Sequence, residues 1–450
     1  MRALQLAVTM LYSIFLRLSF IPSKIYPLVC SWLQRLNLNR PRHVQRPAQR
    51  YGGGINAESL ERYKPGGYHP VALGDVLKGG RYKILHKLGW GSYATTWAAK
   101  DQKDDRYVAL KIMISKVEES RELKMLRALS ALPKHHPGSS YVNQMLDHFT
   151  LVGPNGTHNC LVLELVGPNV AEFVEHYGLY RRLPAKLARL FAKQTLQGLD
   201  FLAANDIGHG DLHTRNLAIV VPGLDALNEE DFIARLGDRV TGAVTKLDDG
   251  PWAPNVPTQI ILPAIFQEQD IMAAQCPSIK IIDFGEAFFS NDPPSTLNTP
   301  LVLRAPEIVF GDRLDRRVDL WSAGCLIFEM VGGCPPLYGW NPPTLVRDMV
   351  ATISEELPSR WQAKWSAMQQ DQTWQNESSA MQQDELQRDV GRTLQNQLEK
   401  TYFHDDDDDE DVEFTMKEIG CIAKVITGML RFEPSLRATP SESLAQDWFQ

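Results

Sequence analysis

The stretch HGDLHTRN, residues 209–216, holds an acid at Asp211 and a carboxamide five positions later at Asn216. An aspartate in such a loop can accept a hydroxyl proton, and the asparagine can hold a magnesium ion if a second carboxylate completes the site. The stretch SIKIIDFG, residues 278–285, supplies that carboxylate at Asp283, after a short β-type run and on a turn that Gly285 permits. Together the two stretches predict a site for Mg²⁺ bridging nucleotide phosphates.

A glycine turn lies upstream in RYKILHKLGWGSYATTWAAK, residues 81–100, between two segments of β-type composition. Gly89 and Gly91 would let backbone N–H groups approach phosphate oxygens, since no Cβ stands in the way. Lys111 follows 22 residues after Gly89, in the predicted strand YVALKIMI, and could reach the same phosphates. A GxG turn alone is common, but its pairing with VALK at this spacing is much more specific.

Lys111 needs a counter-charge, because burial of an unpaired lysine would lower its pKa and cost several kcal/mol. Glu118, Glu119 and Glu122 are the candidates in the next predicted helix. Glu122 is selected because it directly precedes an apolar stripe of leucines at helical spacing.

The composition is that of a folded, acidic enzyme. With 450 residues and 44% apolar content, the chain can bury one large core or two smaller ones. Residues 1–57 contain eight basic residues and no acid, which leaves 39 basic against 54 acidic residues in the remainder, a net charge of −15. Such a surface repels nucleic acid and favours basic protein partners.

The first residues are typical of a targeting segment. Arg2, Arg17, Lys24 and Arg35 are spaced among apolar residues, which is more typical of a mitochondrial transit peptide than of a secretory signal; an extension without import is the alternative. The longest uncharged run, Ala3–Leu16, has 14 residues, short of the roughly 20 that span a bilayer, so no stable membrane span is expected. Six scattered cysteines without a CxxC pair indicate a reducing compartment, the cytoplasm or nucleus.

The ordered set of motifs resembles the eukaryotic protein kinase family over residues 81–449. The motifs are GWGSYA, VALK, HGDLHTRN, DFGE, LRAPE at 303–307, VDLWSAGCLIFEM at 318–330 and FEPSLRAT at 432–439. The resemblance implies an α+β, two-lobed fold with a small β-rich N-lobe and a large, mainly helical C-lobe. It also implies that Glu307 pairs with Arg437, and that Asp319 ties the catalytic loop's backbone to the helix bearing Trp321.

The resemblance also implies ATP and Mg²⁺ as cofactors, with Asp211 as the base and Asn216 and Asp283 as metal ligands. Lys111 and Glu122 complete the expected catalytic set. The implied nucleotide contacts are Leu88, Gly89, Trp90, Gly91, Ser92, Lys111, Glu164 and Val166.

Within that family the sequence is most similar to the SR-protein kinase group, in a divergent fungal form. GWG is followed by a small residue instead of a third glycine, and 66 residues separate Asn216 from Asp283. This similarity implies a serine/threonine kinase that acts on basic, arginine-serine-rich proteins such as splicing factors, in the regulation of mRNA processing. We expect a monomer.

The predicted organisation is a targeting segment and linker over 1–64, an N-lobe over 65–167 and a C-lobe over 168–450. The C-lobe contains an insertion at about 222–277 and a glutamine-rich and acidic segment at 358–411, which includes the acid run Asp405–Asp411. No chemistry is assigned to the insertion, and no catalytic role to the glutamine-rich part. The acid run is predicted to attract basic peptides over long range, and a solvated loop is the alternative.

Several residues depart from the family pattern. Gly210 replaces the arginine that reads activation-loop phosphorylation in many kinases, which predicts constitutive activity. His213 stands where serine/threonine kinases keep a lysine, and we hypothesise that Arg215 supplies the missing positive charge. Thr299 lies one place upstream of the usual threonine position, which Pro300 occupies, so the form of the substrate-binding loop stays open.

Two alternatives remain at this point. A pseudokinase scaffold would require that His213 or Gly210 abolish activity, although Lys111, Asp211, Asn216 and Asp283 are all present. A small-molecule phosphotransferase of aminoglycoside or choline type is disfavoured, because such enzymes lack the peptide-binding segment that LRAPE and DLWSAG indicate.

Overall fold

The computed structural model describes residues 50–115, 120–177, 182–267, 271, 277–370, 393–403 and 412–450. Outside the described residues lie the predicted targeting segment, Glu118 and Glu119, much of the glutamine-rich segment and the acid run Asp405–Asp411.

Strands dominate the first part of the described chain, and helices dominate the last part. The strands are β1 (Tyr51–Gly53), β2 (Val76–Leu77), β3 (Tyr82–Trp90), β4 (Ala94–Asp101), β5 (Arg106–Met113), β6 (Met145–Gly153), β7 (Gly156–Glu164), β8 (Ile207–Gly208), β9 (Leu217–Ile219), β10 (Thr241–Lys246), β11 (Gln259–Ile261), β12 (Ile279–Ile281) and β13 (Phe288–Phe289). The α-helices are α1 (Arg121–Ala131), α2 (Val170–Tyr177), α3 (Ala185–Ala204), α4 (Glu229–Arg235), α5 (Pro306–Phe310), α6 (Val318–Gly332), α7 (Pro342–Ile353), α8 (Ser359–Gln370), α9 (Leu394–Tyr402), α10 (Met416–Met429) and α11 (Pro440–Leu444).

The small lobe is a six-stranded antiparallel sheet in the order β2-β3-β4-β5-β7-β6. The glycine turn joins β3 to β4, as the sequence predicts. Helix α1 begins where the Ser120 side chain accepts the amide of Leu123 at 3.1 Å, and it buries Leu123, Leu126 and Leu129. This apolar stripe turns Glu122 towards the sheet.

The large lobe packs around two helices. Helix α6 is buried on almost all sides, which its apolar sequence permits. Helix α3 packs against it, and the short antiparallel pairs β9–β12 and β8–β13 lie beside α3. These two pairs carry the loops that hold Asp211 and Asp283, so the core fixes the site. The predicted two-lobed α+β architecture is confirmed.

The insertion folds against the small lobe. Strand β10 pairs with both β1 and β11 in a separate three-stranded sheet. Phe232 of α4 stacks on Tyr107 of β5 with ring centroids 3.6 Å apart, and Asp225 accepts the Tyr107 amide at 2.7 Å. A segment that leaves the large lobe after β9 therefore covers the small lobe before it returns.

The end of the predicted linker is part of the folded structure. Residues 51–53 form β1, residues 60–62 form a 3₁₀ turn, and Tyr51, Leu60 and Tyr63 are buried in a satellite cluster with the insertion. Composition alone concealed this, because the segment's partners lie almost 200 residues later. Within the described ranges, no helix has the length and apolar character that crossing a membrane requires.

Candidate active site

Lys111 lies at the centre of an ion-pair cluster. Its Nζ is 2.7 Å from Glu122 Oε1 and 3.1 Å from Asp283 Oδ1. Burial by itself lowers the pKa of Lys111, but the two carboxylates outweigh burial and raise that pKa above its usual value. The structure thus joins strand β5, helix α1 and the DFG turn through one ammonium group, with the glutamate that the sequence analysis selected.

Asp283 follows β12 in a strained backbone conformation, with φ of 62°. Its Oδ1 accepts the amide of Gly285 at 3.3 Å, which holds the carboxylate at the turn. The positive charge of Lys111 lowers the pKa of Asp283, so the group is ionised at neutral pH. An ionised, partly accessible carboxylate at this place is suited to a hard cation.

Asp319, at the start of α6, holds the backbone of the catalytic loop. Its two carboxylate oxygens accept the amides of His209 at 2.6 Å and Gly210 at 2.8 Å. The His209 ring contacts the carbonyl of Ile282 at 3.0 Å, which links the loop to the DFG turn. The predicted tie between Asp319 and the loop backbone is confirmed.

Asp211 and Asn216 face each other across the loop. Asn216 Nδ2 donates to the Asp211 carbonyl at 2.8 Å and lies 3.4 Å from Asp211 Oδ2. Asp211 Oδ1 is buried and has no hydrogen-bond partner within the part of the chain that the structure describes. The Asp211 side chain as a whole is 25% exposed, so a substrate hydroxyl can approach the carboxylate from its exposed side.

The residues fit a magnesium ion. Asn216 lies beside Asp283 because β9 pairs with β12. The Ile282 N–H also donates a hydrogen bond to the Asn216 carbonyl at 2.9 Å. Because Asn216 donates through its nitrogen, its side-chain oxygen remains available as a ligand. One carboxylate and one amide oxygen are the oxygen ligands that Mg²⁺ takes when phosphates and water supply the others.

Gly210 lies in close contact with the activation segment. Its φ is +77°, and a Cβ there would lie 2.9 Å from both the Glu286 carbonyl oxygen and a Leu297 methyl group. The buried Thr299 donates its hydroxyl to the Gly210 carbonyl at 2.7 Å. Thr299 therefore holds the activation segment against the catalytic loop by a hydrogen bond. Only glycine fits at position 210, because the positive φ and the close contacts leave no space for a Cβ.

His213 and Arg215 differ in what they contact. His213 Nδ1 accepts the Arg215 amide at 3.2 Å, and its Nε2 lies 3.2 Å from Asn216 Nδ2 and 3.6 Å from Asp211 Oδ2. The exposed guanidinium of Arg215 instead bonds Glu175 of α2 at 2.6 Å. The charge role predicted for Arg215 stays a prediction, and it would require the guanidinium to leave Glu175.

The residues predicted to contact the nucleotide lie at the glycine turn, on β5 and at the end of β7. Leu88, Gly89 and Trp90 end β3, and Gly91 and Ser92 form the turn, where the Gly91 amide donates to Ala94 at 2.9 Å. Glu164 ends β7, and its carboxylate is bonded by Lys280 at 2.8 Å. Contacts from Glu164 and its neighbour Val166 to a nucleotide would therefore come from the backbone.

Sequence reasoning missed the residues that hold the glycine turn. Tyr68 and Arg62 bond the carbonyls of Gly91 and Ser92, and both belong to or adjoin the predicted linker. The available signal was weak: an aromatic residue after two glycines in RYKPGGYHP. Elsewhere the motif pairing was sufficient, since Arg437 bonds both oxygens of Glu307 at 2.6 Å as predicted.

The comparisons with known proteins agree with this geometry. The model of the protein kinase domain matches residues 82–229 and 266–449. The chain belongs to the protein kinase family. The unmatched residues, 230–265, fall within the insertion.

The similar proteins are serine/threonine kinases of the SRPK group. The predicted similarity to the SR-protein kinase group is therefore confirmed. A serine/threonine-protein kinase SRPK of Physarum polycephalum is 33% identical over 62% of this chain and 67% of its own length. Protein kinase dsk1 of Schizosaccharomyces pombe is 36% identical over 36% of this chain and 31% of its own length, and human SRSF protein kinase 3 is 34% identical over 36% and 30%. The chain thus spans about a third of the fission-yeast and human relatives. A crystal structure of a kinase domain superposes with a TM-score of 0.59 at 18% identity, over 85% of this chain and 99% of the other, which supports the fold.

Proposed function

We propose that this kinase transfers the γ-phosphate of Mg-ATP to serine or threonine hydroxyls of basic, arginine-serine-rich proteins, in the regulation of mRNA processing. The observation that carries the proposal is the partly exposed Asp211 carboxylate, whose Oδ2 lies 3.4 Å from Asn216 Nδ2. It occurs together with a closed Lys111–Glu122 pair, the arrangement that phosphoryl transfer requires.

Lys111 and the glycine turn would hold the nucleotide phosphates, and the backbone of Glu164 and Val166 would hold the base. Asn216 and Asp283 would hold Mg²⁺, which supplies charge neutralisation of the transferred phosphoryl group. Asp283 enters this role already ionised, because Lys111 lowers its pKa. Ion pairs within the protein thus pre-set both the position and the charge of the ligands.

Asp211 would orient the substrate hydroxyl and accept its proton through its carboxylate. The His213 ring lies beside this carboxylate, with its Nε2 3.6 Å from Asp211 Oδ2. Arg215 would contribute positive charge on the outer side of the loop after exchanging Glu175 for substrate phosphate.

Activity without prior phosphorylation follows from the contact between Gly210 and Thr299. The activation segment is fastened by a direct hydroxyl–carbonyl bond at 2.7 Å, in place of an arginine that binds a phosphate. Its far end is fastened by Glu307 and Arg437. Both fastenings favour a peptide substrate over a small molecule, because they shape the segment on which a peptide lies.

Basic substrates are supported by charge. The chain after residue 57 carries a net charge of −15, and seven of its acidic residues are consecutive in the run Asp405–Asp411. Long-range attraction would raise the encounter rate with arginine-rich chains. One relative's name, SRSF protein kinase 3, points to substrates of this kind. Such substrates would place the enzyme in the cytoplasm or nucleus, and import into mitochondria, tested by fractionation, is the competing location.

The test is a phosphotransfer assay on the full chain with Mg-ATP and three acceptors: an arginine-serine peptide, an acidic serine peptide and an aminoglycoside. Preferential phosphate on serine of the basic peptide supports the proposal. Phosphate on the aminoglycoside alone would indicate the small-molecule enzyme, and nucleotide binding without any transfer would indicate the scaffold.

A further inference from the structure

A segment upstream of the kinase core contacts the backbone of the glycine turn. The Tyr68 hydroxyl donates to the Gly91 carbonyl, and the Arg62 guanidinium donates to the Ser92 carbonyl. The guanidinium also lies over the Tyr68 ring, 4.7 Å from its centroid, so the two side chains form one unit. We call residues 58–68 the brace.

The brace is anchored to the strand that leads into the turn. Glu58 forms an ion pair with Lys87 of β3, and both side chains are almost fully buried. Tyr63 donates its hydroxyl to the same Glu58 carboxylate at 2.6 Å, and the Lys87 ammonium lies 5.1 Å from the Trp97 ring centroid. A buried pair with these supporting contacts fixes the brace against β3, since separating the charges would leave each unpaired in the interior.

Two asparagines attach the brace to the rest of the lobe. Asn155, in the β6–β7 turn, donates to the carbonyls of Tyr68 at 2.6 Å and Asn255 at 3.0 Å. Asn255 of the insertion donates to the Tyr63 carbonyl at 2.8 Å. The brace therefore contacts both the β6–β7 turn and the insertion. Strand β10 of the insertion in turn pairs with β1, which precedes the brace in the chain.

Fixing a carbonyl also fixes the next amide. In a trans peptide the N–H of one residue points opposite to the C=O of the residue before it. Because the brace holds the Gly91 and Ser92 carbonyls, it sets the direction of the Ser92 and Tyr93 amides. These amides belong to the turn that would cover the phosphates.

We propose that Tyr68 and Arg62 are positioning residues for the phosphate-binding turn, acting from a segment outside the matched kinase domain. The inference rests on the proposed function in that the turn is taken to bind ATP phosphates. The brace holds the turn in its phosphate-binding form before nucleotide arrives, so its loss weakens binding of the phosphates and leaves binding of the nucleoside unchanged.

The test compares nucleotide affinity by calorimetry in the full chain for wild type, Tyr68→Phe and Arg62→Met. Tyr68→Phe keeps the ring and removes one hydrogen bond, which corresponds to roughly three- to tenfold weaker binding of ATP and ADP. Adenosine affinity should change less than about twofold, because adenosine has no phosphate for the turn to hold. Arg62→Met keeps the stem of the side chain and should give the same pattern.

Tyr51→Phe is the matched control. Its hydroxyl accepts the Ala253 amide at 2.9 Å in the same satellite cluster, with no bond to the turn. It should leave ATP, ADP and adenosine affinity unchanged. Equal losses in Tyr51→Phe and Tyr68→Phe would show a general effect on lobe packing and overturn the brace.

Kinetics gives a second readout. Tyr68→Phe should raise KM for ATP more than it lowers kcat, since the turn is held less well before the nucleotide binds. Unchanged ATP and adenosine affinity in both brace variants would refute the proposal while the wild type still binds ATP. If the wild type bound no ATP, the proposed function itself would fail, and the brace proposal with it.

Discussion

The nucleotide side and the peptide side of the cleft are built by different means. On the nucleotide side, Lys111, Glu122 and Asp283 form charge pairs within 3.1 Å, all from motifs that the sequence displays. On the peptide side, Gly210 and Thr299 meet through a backbone carbonyl and a hydroxyl, where many kinases rely on an arginine and a phosphate. The first side is set by charge, and the second by close backbone approach.

This difference teaches where each side is vulnerable. Loss of one charge on the nucleotide side leaves its partner charges uncompensated, and Glu122 among them is buried. On the peptide side, added volume is the hazard, since the Gly210 position has no room for a Cβ. Substitutions of the two kinds therefore separate the two sides.

The largest effect is expected from Asp211→Asn, at the junction of both sides. Removal of the base should lower kcat by roughly 10²- to 10⁴-fold. ATP affinity should stay near wild type, because Asp211 is not a phosphate ligand in this account. Steady-state kinetics and calorimetry on the same preparation measure both quantities. Undiminished transfer by this variant would rule out Asp211 as the base.

Lys111→Met tests the nucleotide side. It removes the ammonium that neutralises Glu122 and Asp283, so both ATP affinity and kcat should fall, kcat by roughly tenfold or more. The contrast with Asp211→Asn is the informative result. Loss of kcat with ATP affinity retained in both variants would mean that Lys111 does not position nucleotide.

Gly210→Ala tests the peptide side through volume. The positive φ and the 2.9 Å contacts should lower the free energy of unfolding by roughly 1–3 kcal/mol and displace the activation segment, which lowers peptide phosphorylation. Gly223→Ala is the matched control, since Gly223 has φ of +75° but nothing within 4 Å of an added Cβ. Equal destabilisation in the two variants would show that φ alone matters and that the close approach does not.

Arg215→Ala tests the hypothesis of a displaced positive charge. If Arg215 serves the transferred phosphate, kcat should fall roughly tenfold, whereas Glu175→Ala, which frees the guanidinium, should preserve it. Single-turnover rates measure the chemical step. The hypothesis fails if Arg215→Ala turns over normally while His213→Ala abolishes activity.

The smallest effect is expected from replacing Asp405–Asp409 with Asn. The Michaelis constant for an arginine-serine peptide should rise by a few-fold with little change in kcat, and salt should affect the variant less than wild type. Peptide kinetics at low and high ionic strength measure this. The same salt dependence in both proteins would mean that the acid run takes no part in recruitment.

Much of the nucleotide side could be predicted, because its residues have recognisable sequence patterns. A lysine in an apolar strand needs a carboxylate partner, and Glu122 adjoins the apolar stripe of α1 that turns its side chain inward. The hydrogen bond between Gly210 and Thr299 could not be predicted. It joins a backbone carbonyl to a hydroxyl 89 residues later, and no sequence pattern marks such a pair. The pairing of β1 with β10 was hidden for the same reason. Its strands are short, and hydrogen bonds between backbones leave no trace in composition.

The most direct test is the time course of peptide phosphorylation by the unphosphorylated protein. Mass spectrometry first verifies that the protein carries no phosphate. Because the Gly210–Thr299 contact fastens the activation segment, we predict that transfer from Mg-ATP to serine of an arginine-serine peptide is linear from the first time point. A lag that disappears after pre-incubation with ATP, or no transfer before phosphorylation by another kinase, would contradict the account.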